Sequence, residues 1–230
     1  MVVKNERQHG YWGNLTASEC AALTEVGDRS IFAAGDTLLA QQDVTRDVVI
    51  VWSGLTKVIA RVASKQQLIL ALRGPGDILG EMAHIGGGAR SAAVAAINDV
   101  VALRVPRKEF SRFLNGSVHA SDLLQRTLVD RLREADWDRV AASSMTVGQR
   151  LARLLLKLVR RYGVQSPEGL TVILLSQEDL AACVGGSRRS VAREIGQWRQ
   201  RGIVSTTRLS VTVRQPESLT RIVGPGMRPF

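Results

Sequence analysis

The sequence is poor in the residues that bind metal ions or form disulfides. It contains two cysteines and three histidines in 230 residues. Cys20 and Cys183 lie far apart and neither belongs to a Cys-x-x-Cys pair, which excludes a four-cysteine iron–sulfur cluster held by one chain. His9, His84 and His119 lack the i, i+4 spacing of a helical zinc site. We therefore expect no metal cofactor.

Long apolar runs and catalytic signatures are absent as well. No apolar run approaches the roughly 18 residues that a membrane-spanning helix needs, and the N-terminus does not resemble a secretory signal. We therefore expect a cytoplasmic protein with no membrane partner. The sequence shows no nucleophile paired with a base and no paired carboxylates of a catalytic cleft. We do not expect an enzyme, and an enzyme or regulatory module is only a remote alternative.

Positive charge is concentrated in the last third of the chain. Residues 1–144 hold 17 Lys or Arg against 16 Asp or Glu, whereas residues 145–230 hold 14 against 5. Such a basic segment is typical of a protein that binds a polyanion, because each cation placed on a phosphate releases condensed counterions. A merely solvated basic face is the alternative.

Short strands are predicted between residues 30 and 104. Apolar or alternating runs are separated there by turns rich in Gly, Asp, Asn and Pro. The runs include Asp47–Trp52, Thr56–Val62 and Gln67–Leu72, and the turns are Gly35-Asp36, Ser53-Gly54, Gly74–Asp77 and Asn98-Asp99. This regular spacing predicts a small β-barrel or jelly roll.

One long helix is predicted from Ser121 to Ala142, a stretch without Gly or Pro. Its spacing places four residues on one apolar stripe: Leu124, Leu128, Leu132 and Ala135. The length of the helix and its position between two domains favour a two-stranded dimer seam, so these four are the predicted dimer contacts. Packing of the stripe on the barrel of the same chain is the alternative.

The region after Ser143 predicts a winged helix-turn-helix. Ser176 can cap a first helix, Gly185-Gly186 supplies a tight turn, and Ser187 can cap a second helix that runs to about Gln200. A strand at residues 170–175 precedes the first helix, and residues 203–205 and 209–213 form the strands of a wing, joined through residues 206–208.

The second helix of this motif places cations opposite its apolar face. An arginine fork matches the two acceptors of guanine in the major groove, so arginines at the start of such a helix suit base recognition. We predict seven DNA-binding residues: Ser176, Gln177, Ser187, Arg188, Arg189, Ser190 and Arg193. An amphipathic hairpin with a solvated basic face is the alternative.

Two groups of segments carry a family resemblance. They are Gly80–Ala83 followed by Ala89–Ala92, and Ser187–Arg193. From about residue 15 to residue 215 the chain resembles the cyclic-AMP receptor and fumarate–nitrate regulator (CRP/FNR) superfamily of bacterial transcription regulators. The resemblance implies an α+β fold with an N-terminal cyclic-nucleotide-binding β-barrel (jelly roll), a long dimerisation helix and a C-terminal winged helix-turn-helix. It identifies the first segments as a phosphate-binding cassette and the last as the recognition helix.

The resemblance also implies an effector site in the barrel. Backbone N–H groups of a turn that begins at Gly80 can face a phosphate, Arg90 can neutralise it, Ser91 can donate a hydroxyl and Glu81 can accept from a ribose. The predicted ligand-binding residues are Gly80, Glu81, Met82, Ala83, Arg90, Ser91, Asp136 and Trp137. Cyclic AMP is the first candidate. The alternative is that Glu81 and Arg90 form a structural ion pair in a regulator that needs no nucleotide.

The sequence departs from the family pattern in two places. Where the cyclic-AMP-binding members have a Thr-Ser pair on the long helix, this chain has Ala135-Asp136, followed by Trp137. Asp136 can accept from an amino group and Trp137 can stack on a base, but both can equally serve a dimer interface. Arg189 stands where these members have a glutamate that reads cytosine. We therefore predict a half-site that differs from theirs at that base pair.

These observations together predict a dimeric regulator made of successive segments. Residues 1–116 form the effector-sensing barrel, 117–142 the dimerisation helix, 143–216 the DNA-binding domain and 217–230 a loosely ordered tail. The expected partners are promoter DNA, a second copy of the chain and RNA polymerase.

Overall fold

A computed structural model describes residues 10–61, 67–173, 175–207 and 210–224. The chain divides into two units between residues 133 and 134. The elements of the first unit are α1 (Gly10–Gly13), α2 (Ala17–Val26), β1 (Asp28–Phe32), β2 (Thr37–Leu39), β3 (Val48–Ser53), β4 (Thr56–Arg61), β5 (Gln67–Arg73), β6 (Ile78–Leu79), α3 (Glu81–Gly86), β7 (Ala93–Ala96), β8 (Val100–Val105), α4 (Arg107–Gly116) and the start of α5 (Val118–Ser144).

Two antiparallel sheets form the β-barrel of the first unit. Their strand orders are β1-β8-β3-β6 and β2-β7-β4-β5. The predicted jelly roll is confirmed, and β3, β4 and β5 lie where the sequence predicts strands. Val62, the last residue of one predicted run, lies outside the described residues.

Strand β3 is apolar on both faces because both faces are covered. Val49 and Val51 join a core cluster contributed by the two sheets, together with Leu38 and Val94. The alternate residues, Val48 among them, face a second cluster formed with residues of α1, α2, α4 and α5. Successive side chains of a strand point to opposite faces, so a strand buried on both faces has a continuous apolar run.

The second unit contains the end of α5 and a winged helix-turn-helix. Its elements are α6 (Val147–Tyr162), β9 (Val164–Ser166), β10 (Gly169–Ile173), α7 (Gln177–Val184), α8 (Arg188–Gln200), β11 (Val204–Thr206), β12 (Ser210–Val213) and α9 (Pro216–Val223). The strands form one antiparallel sheet in the order β11-β12-β10-β9. The predicted motif is confirmed, while β9 was not predicted. Three predicted strand or turn residues lie outside the described part of the chain: Leu174, Arg208 and Leu209.

The C-terminal segment differs from the predicted loose tail. Pro216–Val223 forms helix α9, in which Leu219 and Val223 are buried. These apolar residues are four apart and therefore lie on one helical face, and α9 packs against α6. The expectation of a loosely ordered segment from residue 217 is thus wrong as far as Val223. Residues 225–230 lie outside the described part.

The predicted dimer stripe on α5 is corrected at Leu124. This side chain is 3% exposed and belongs to the core cluster of the first unit, with Tyr11 and Phe110. It is therefore not available to a second copy. Leu128 is half-buried, whereas Leu132 is 61% exposed and Ala135 is exposed. The stripe splits because the start of α5 covers the barrel of its own chain.

The helices that the structure describes are not of the membrane-spanning kind. Over the described ranges, none combines the length and apolar character that a membrane span requires.

Candidate functional site

A glycine turn between β6 and α3 brings the backbone against Arg90. Gly80 has φ +82°, in the left-handed region that favours glycine. A Cβ atom at this position would lie 2.4 Å from Nη1 of Arg90 and 2.8 Å from the carbonyl oxygen of Asp47. Glycine is therefore required both by the backbone conformation and by the close approach of the guanidinium.

Arg90 is a buried cation with incomplete hydrogen bonding. Its side chain is 3% exposed, and Nη2 donates to the carbonyl of Asp47 (2.8 Å) and to Oγ1 of Thr45 (3.3 Å). Asp43 approaches Nε at 3.9 Å. Among the described residues, no hydrogen-bond partner faces Nε or Nη1. Burial lowers the pKa of the Arg90 guanidinium from its ordinary value, while Asp43 and Asp47 oppose the change. The N–H groups of Nε and Nη1 are thus buried donors that an anion could accept from.

Glu81 forms an ion pair with Arg131, a residue that the sequence analysis did not predict for this site. Its side chain is buried, and Oε1 accepts a hydrogen bond from Nη1 of Arg131 at 2.5 Å. Nη2 of Arg131 also donates to the carbonyl of Ile78 at 2.7 Å. The alternative of a Glu81–Arg90 ion pair is therefore wrong, because Glu81 pairs with α5 and Arg90 lies near Asp43. No sequence signal linked these residues, since 50 positions separate Glu81 from Arg131.

The other predicted ligand residues differ in exposure. Met82 is 64% exposed, Ala83 is buried and Ser91 is exposed in the first unit. Asp136 and Trp137 belong to the second unit, where Trp137 is 46% exposed and Asp136 pairs with Arg139 at 3.0 Å. The roles of all five in ligand binding stay predictions.

Both predicted helix caps of the DNA-binding motif are confirmed. The Ser176 hydroxyl accepts from the backbone N–H of Asp179 at 2.9 Å, and the Ser187 hydroxyl accepts from the N–H of Ser190 at 3.1 Å. Between the two helices Gly185 has φ +59°, as the predicted turn requires. The capping hydroxyls retain their own hydrogens, which can be donated to another acceptor.

Helix α8 is amphipathic, with one buried apolar face and one exposed charged face. Its apolar residues Val191, Ile195 and Trp198 are buried in the second unit. Four of the predicted DNA contacts are exposed on this helix or at its cap, and they are Ser187, Arg188, Arg189 and Arg193. Ser190 is half-buried, and Gln177 is exposed at the start of α7. Nη2 of Arg193 lies 3.4 Å from Oε1 of Glu194. Helix α8 therefore presents cations at its N-terminal end.

Over the part of the chain that is described, no group of three or more His, Cys, Asp or Glu side chains is arranged to hold a metal ion.

Comparison with known proteins matches both units. The cyclic nucleotide-binding domain family matches residues 29–117, and the Crp-like helix-turn-helix domain family matches residues 149–222. A CRP-like cAMP-activated global transcriptional regulator of Mycobacterium tuberculosis is 29% identical over 92% of this chain and 95% of its own length. The cyclic AMP receptor protein of Thermus thermophilus is 30% identical over 84% of this chain and 87% of its own length.

A solved structure supports the fold. FixK2 of Bradyrhizobium japonicum superposes with a TM-score of 0.78 and 20% identity, covering 88% of this chain and all of that one. At this level of identity the similarity concerns the fold.

Proposed function

This chain belongs to the CRP/FNR family of bacterial transcription regulators, and we propose that it acts as a homodimer that reads promoter DNA under the control of its barrel. The observation that carries the proposal is the group of exposed arginines at the start of α8, on a helix whose opposite face is buried. A bacterial regulator of promoters acts in the cytoplasm, where the chromosome lies.

Base reading is assigned to three arginines of α8. Arg188 and Arg193 each present a fork suited to the O6 and N7 acceptors of guanine, and Arg189 replaces the glutamate of the cyclic-AMP-binding members. Ser176, Gln177, Ser187 and Ser190 lie at the starts of α7 and α8. Hydroxyl and amide groups at helix N-termini are typical ligands of DNA phosphates, which fix the register of the protein on the duplex.

A binding-site selection from random duplex DNA tests this function. We expect the wild-type protein to enrich a two-fold symmetric sequence with half-sites one helical turn apart, roughly 34 Å. Arg189→Glu is expected to change the preference at one base pair of each half-site, and Arg221→Gln, which removes an exposed cation of α9, is the control for lost charge. Enrichment of no sequence would contradict the proposed function, and an unchanged preference in Arg189→Glu would contradict the role of Arg189.

The proposed dimer seam is revised to the exposed apolar residues of α5. Leu132 is 61% exposed, Val129 46% and Val140 45%, and Ala135 lies among them. Exposed apolar residues at helical spacing favour a helix–helix contact. Sedimentation equilibrium is expected to give a dimer for the wild type and for Ile31→Asp, which changes an exposed apolar residue of β1, and a monomer for Leu132→Asp. If Leu132→Asp remains a dimer, the proposal that α5 forms the interface is contradicted.

The effector assigned to the barrel is a cyclic nucleotide. The residues fit a phosphate because two buried nitrogen atoms of Arg90 have no hydrogen-bond partner within the described part of the chain and Gly80 keeps the adjacent backbone free of a side chain. Backbone N–H groups of Glu81, Met82 and Ala83 in the first turn of α3 cannot bond within the helix, and they add donors. Ser91 supplies a hydroxyl. The second carboxylate oxygen of Glu81 would accept from the ribose.

Control of DNA binding by this effector requires two conformations of the dimer. A ligand shifts such an equilibrium by its difference in affinity for the two states. Arg131 is the residue of α5 that contacts Glu81, a predicted ligand contact. We therefore assign to Arg131 the role of transmitting ligand binding in the barrel to the conformation of the long helix α5. Bound near a promoter, the dimer would contact or exclude RNA polymerase.

Isothermal titration with cyclic AMP and cyclic GMP tests the effector. We expect micromolar binding of one nucleotide to the wild type, loss of that binding in Arg90→Ala, and retention in Arg112→Ala, which removes an exposed arginine of the same unit. Binding that survives in Arg90→Ala would contradict the site. No binding of either nucleotide would favour the second candidate, a nucleotide-independent regulator, which Asp136 and Trp137 on the long helix already favour.

A further inference from the structure

Arg150, near the start of α6, joins two separate backbone segments of the second unit. Nε donates to the carbonyl of Val184 at 2.7 Å, and Nη2 lies 3.3 Å from the carbonyl of Gly185. Nη1 donates to the carbonyl of Met145 at 2.6 Å and lies 3.4 Å from that of Ala142. One planar group therefore contacts the end of α5 and the turn of the helix-turn-helix.

The electrostatics of helix ends explain why a cation lies between these carbonyls. Helix α5 ends at Ser144 and α7 ends at Val184. The last carbonyls of a helix have no partner within it, and the helix dipole makes this end partly negative. A guanidinium has five donors in a rigid fork and can serve acceptors from two directions, whereas a lysine ammonium is a single point charge.

Packing around Arg150 supports the same connection. A Cβ atom at Gly186, in the turn between α7 and α8, would lie 3.0 Å from Cγ1 of Val147, so this turn rests on the first residue of α6. Further along α6, Arg153 pairs with Asp138 of α5 and Lys157 pairs with Glu134. Helix α6 thus holds the end of α5 on one side and the recognition turn on another.

We propose that Arg150 is a positioning residue for DNA recognition: it fixes the placement of the α7–α8 turn relative to the end of α5. This inference rests on the proposed dimeric DNA-binding function. In a dimer joined through α5, the placement of each turn sets the separation of the two recognition helices. Arg150 therefore determines the half-site spacing that the dimer accepts, while the arginines of α8 determine which bases are read.

The test compares Arg150→Gln and Arg150→Lys with the wild type on three kinds of DNA. Fluorescence anisotropy measures binding to the operator selected by the wild type, to an isolated half-site, and to operators with one to three base pairs added or removed between the half-sites. Arg221→Gln is the matched control, because Arg221 is an exposed cation of the same unit that donates to Ser218 of its own helix. Each protein is measured with and without cyclic AMP.

We expect affinity for the full operator to fall roughly 10-fold in Arg150→Gln, with a loss below about 2-fold on the half-site, which accounts for at most about 4-fold on an operator with two half-sites. The preference for one spacing should broaden. Arg150→Lys is expected to behave in the same way, because an ammonium cannot serve both helix ends. Arg221→Gln should retain the spacing preference and the ratio of operator to half-site affinity. Circular dichroism reports whether each variant is folded.

The outcomes separate this inference from the proposed function. An operator loss no greater than the square of the half-site loss, or an unchanged spacing preference, would overturn the positioning role, since a DNA-binding unit that is merely less folded weakens each of the two half-site contacts by the same factor. If Arg150→Gln does not fold, the lysine variant decides by the same two criteria. Failure of the wild type to select any sequence would instead overturn the proposed function.

Discussion

Arg90 of the barrel and Arg150 of the DNA-binding unit use their guanidinium groups differently. Arg90 is almost fully buried, yet its Nε and Nη1 have no hydrogen-bond partner among the described residues. Arg150 is half-buried, and each of its three nitrogen atoms contacts at least one backbone carbonyl. Neither residue has a charged neighbour in the sequence, and it was the family resemblance of the segment Ala89–Ala92 that distinguished Arg90 from Arg150.

The difference indicates which arginine serves a ligand and which serves the fold. A buried donor without a partner costs free energy, so a native protein retains it where another molecule supplies the acceptor. A donor group whose partners are backbone carbonyls stabilises the conformation of those segments. On this comparison, Arg90 is expected to matter for effector binding and Arg150 for the geometry of the second unit.

The largest effect is expected from Gly80→Ala, which tests the close packing around Arg90. The added methyl group would meet Nη1 of Arg90 and the carbonyl of Asp47, in a backbone conformation with φ +82°. Gly35→Ala is the matched control, because Gly35 has φ +92° and open space at its Cβ position. We expect denaturant unfolding to show losses of about 1–2 kcal/mol for Gly35→Ala and, with the cost of overpacking added, about 2–5 kcal/mol for Gly80→Ala. Equal losses would mean that Arg90 moves aside freely.

Replacement of each arginine by methionine compares the two residues directly. Arg150→Met leaves the carbonyls of Met145, Val184 and Gly185 without this donor, and we expect it to lower the free energy of unfolding by about 2–3 kcal/mol. Arg90→Met removes a buried cation that is incompletely paired, so a loss within about 1 kcal/mol is expected in the absence of ligand. Thermal unfolding by calorimetry measures both. If Arg90→Met lowers the free energy of unfolding by more than Arg150→Met does, Arg90 and not Arg150 is the arginine that serves the fold.

A small effect is also expected from Glu19→Gln, which tests an ion of the first unit whose carboxylate has several hydrogen-bond donors. Burial opposes the charged form, but hydrogen bonds from Ser117, Thr16 and His119 lower the pKa of Glu19 from 4.5 to about 2. The contacts are Ser117 Oγ at 2.5 Å, the Thr16 N–H at 2.8 Å and His119 Nδ1 at 3.0 Å. At neutral pH we expect a loss of about 1 kcal/mol in the glutamine variant.

The pH dependence of this loss follows from the lowered pKa. A carboxylate with a depressed pKa in the folded state stabilises the protein above its unfolded value, and this stabilisation is lost as the pH falls through the folded value. The difference in Tm between the wild type and Glu19→Gln should therefore be constant above about pH 4.5 and shrink towards pH 2. Glu25→Gln, an exposed acid on the same helix, is the control. A difference that persists at pH 2 would show that the charge of Glu19 is not responsible.

Much of the fold was predictable because its signals are local. The caps at Ser176 and Ser187 act on residues three positions away, and the turn at Gly185 needs one left-handed residue. The strands of the barrel and the apolar face of α8 follow from periods of two and 3.6 residues. Strand β9 and helix α9 escaped prediction because they are short and depend on packing against β10 and α6.

The candidate site was predictable in its residues but not in its contacts. Gly80, Glu81 and Arg90 were identified by their segments, yet Glu81 pairs with Arg131 and Arg90 with groups of Asp43, Thr45 and Asp47. Leu124 satisfied the helical stripe and still proved to be a core residue of the barrel unit. A stripe shows that a helix face is apolar, but it does not show which surface covers that face.

The sequence by itself determined the order of the elements, the basic character of the second unit and the arginines on the recognition helix, because these properties depend on neighbouring residues and on composition. The tertiary structure alone decided which buried charges have partners. The nitrogen atoms of Arg150 reach carbonyls 34 and 35 positions away, and Glu81 meets Arg131 across 50 positions. Such pairings arise only when the folded chain brings distant segments together, and no local pattern specifies them.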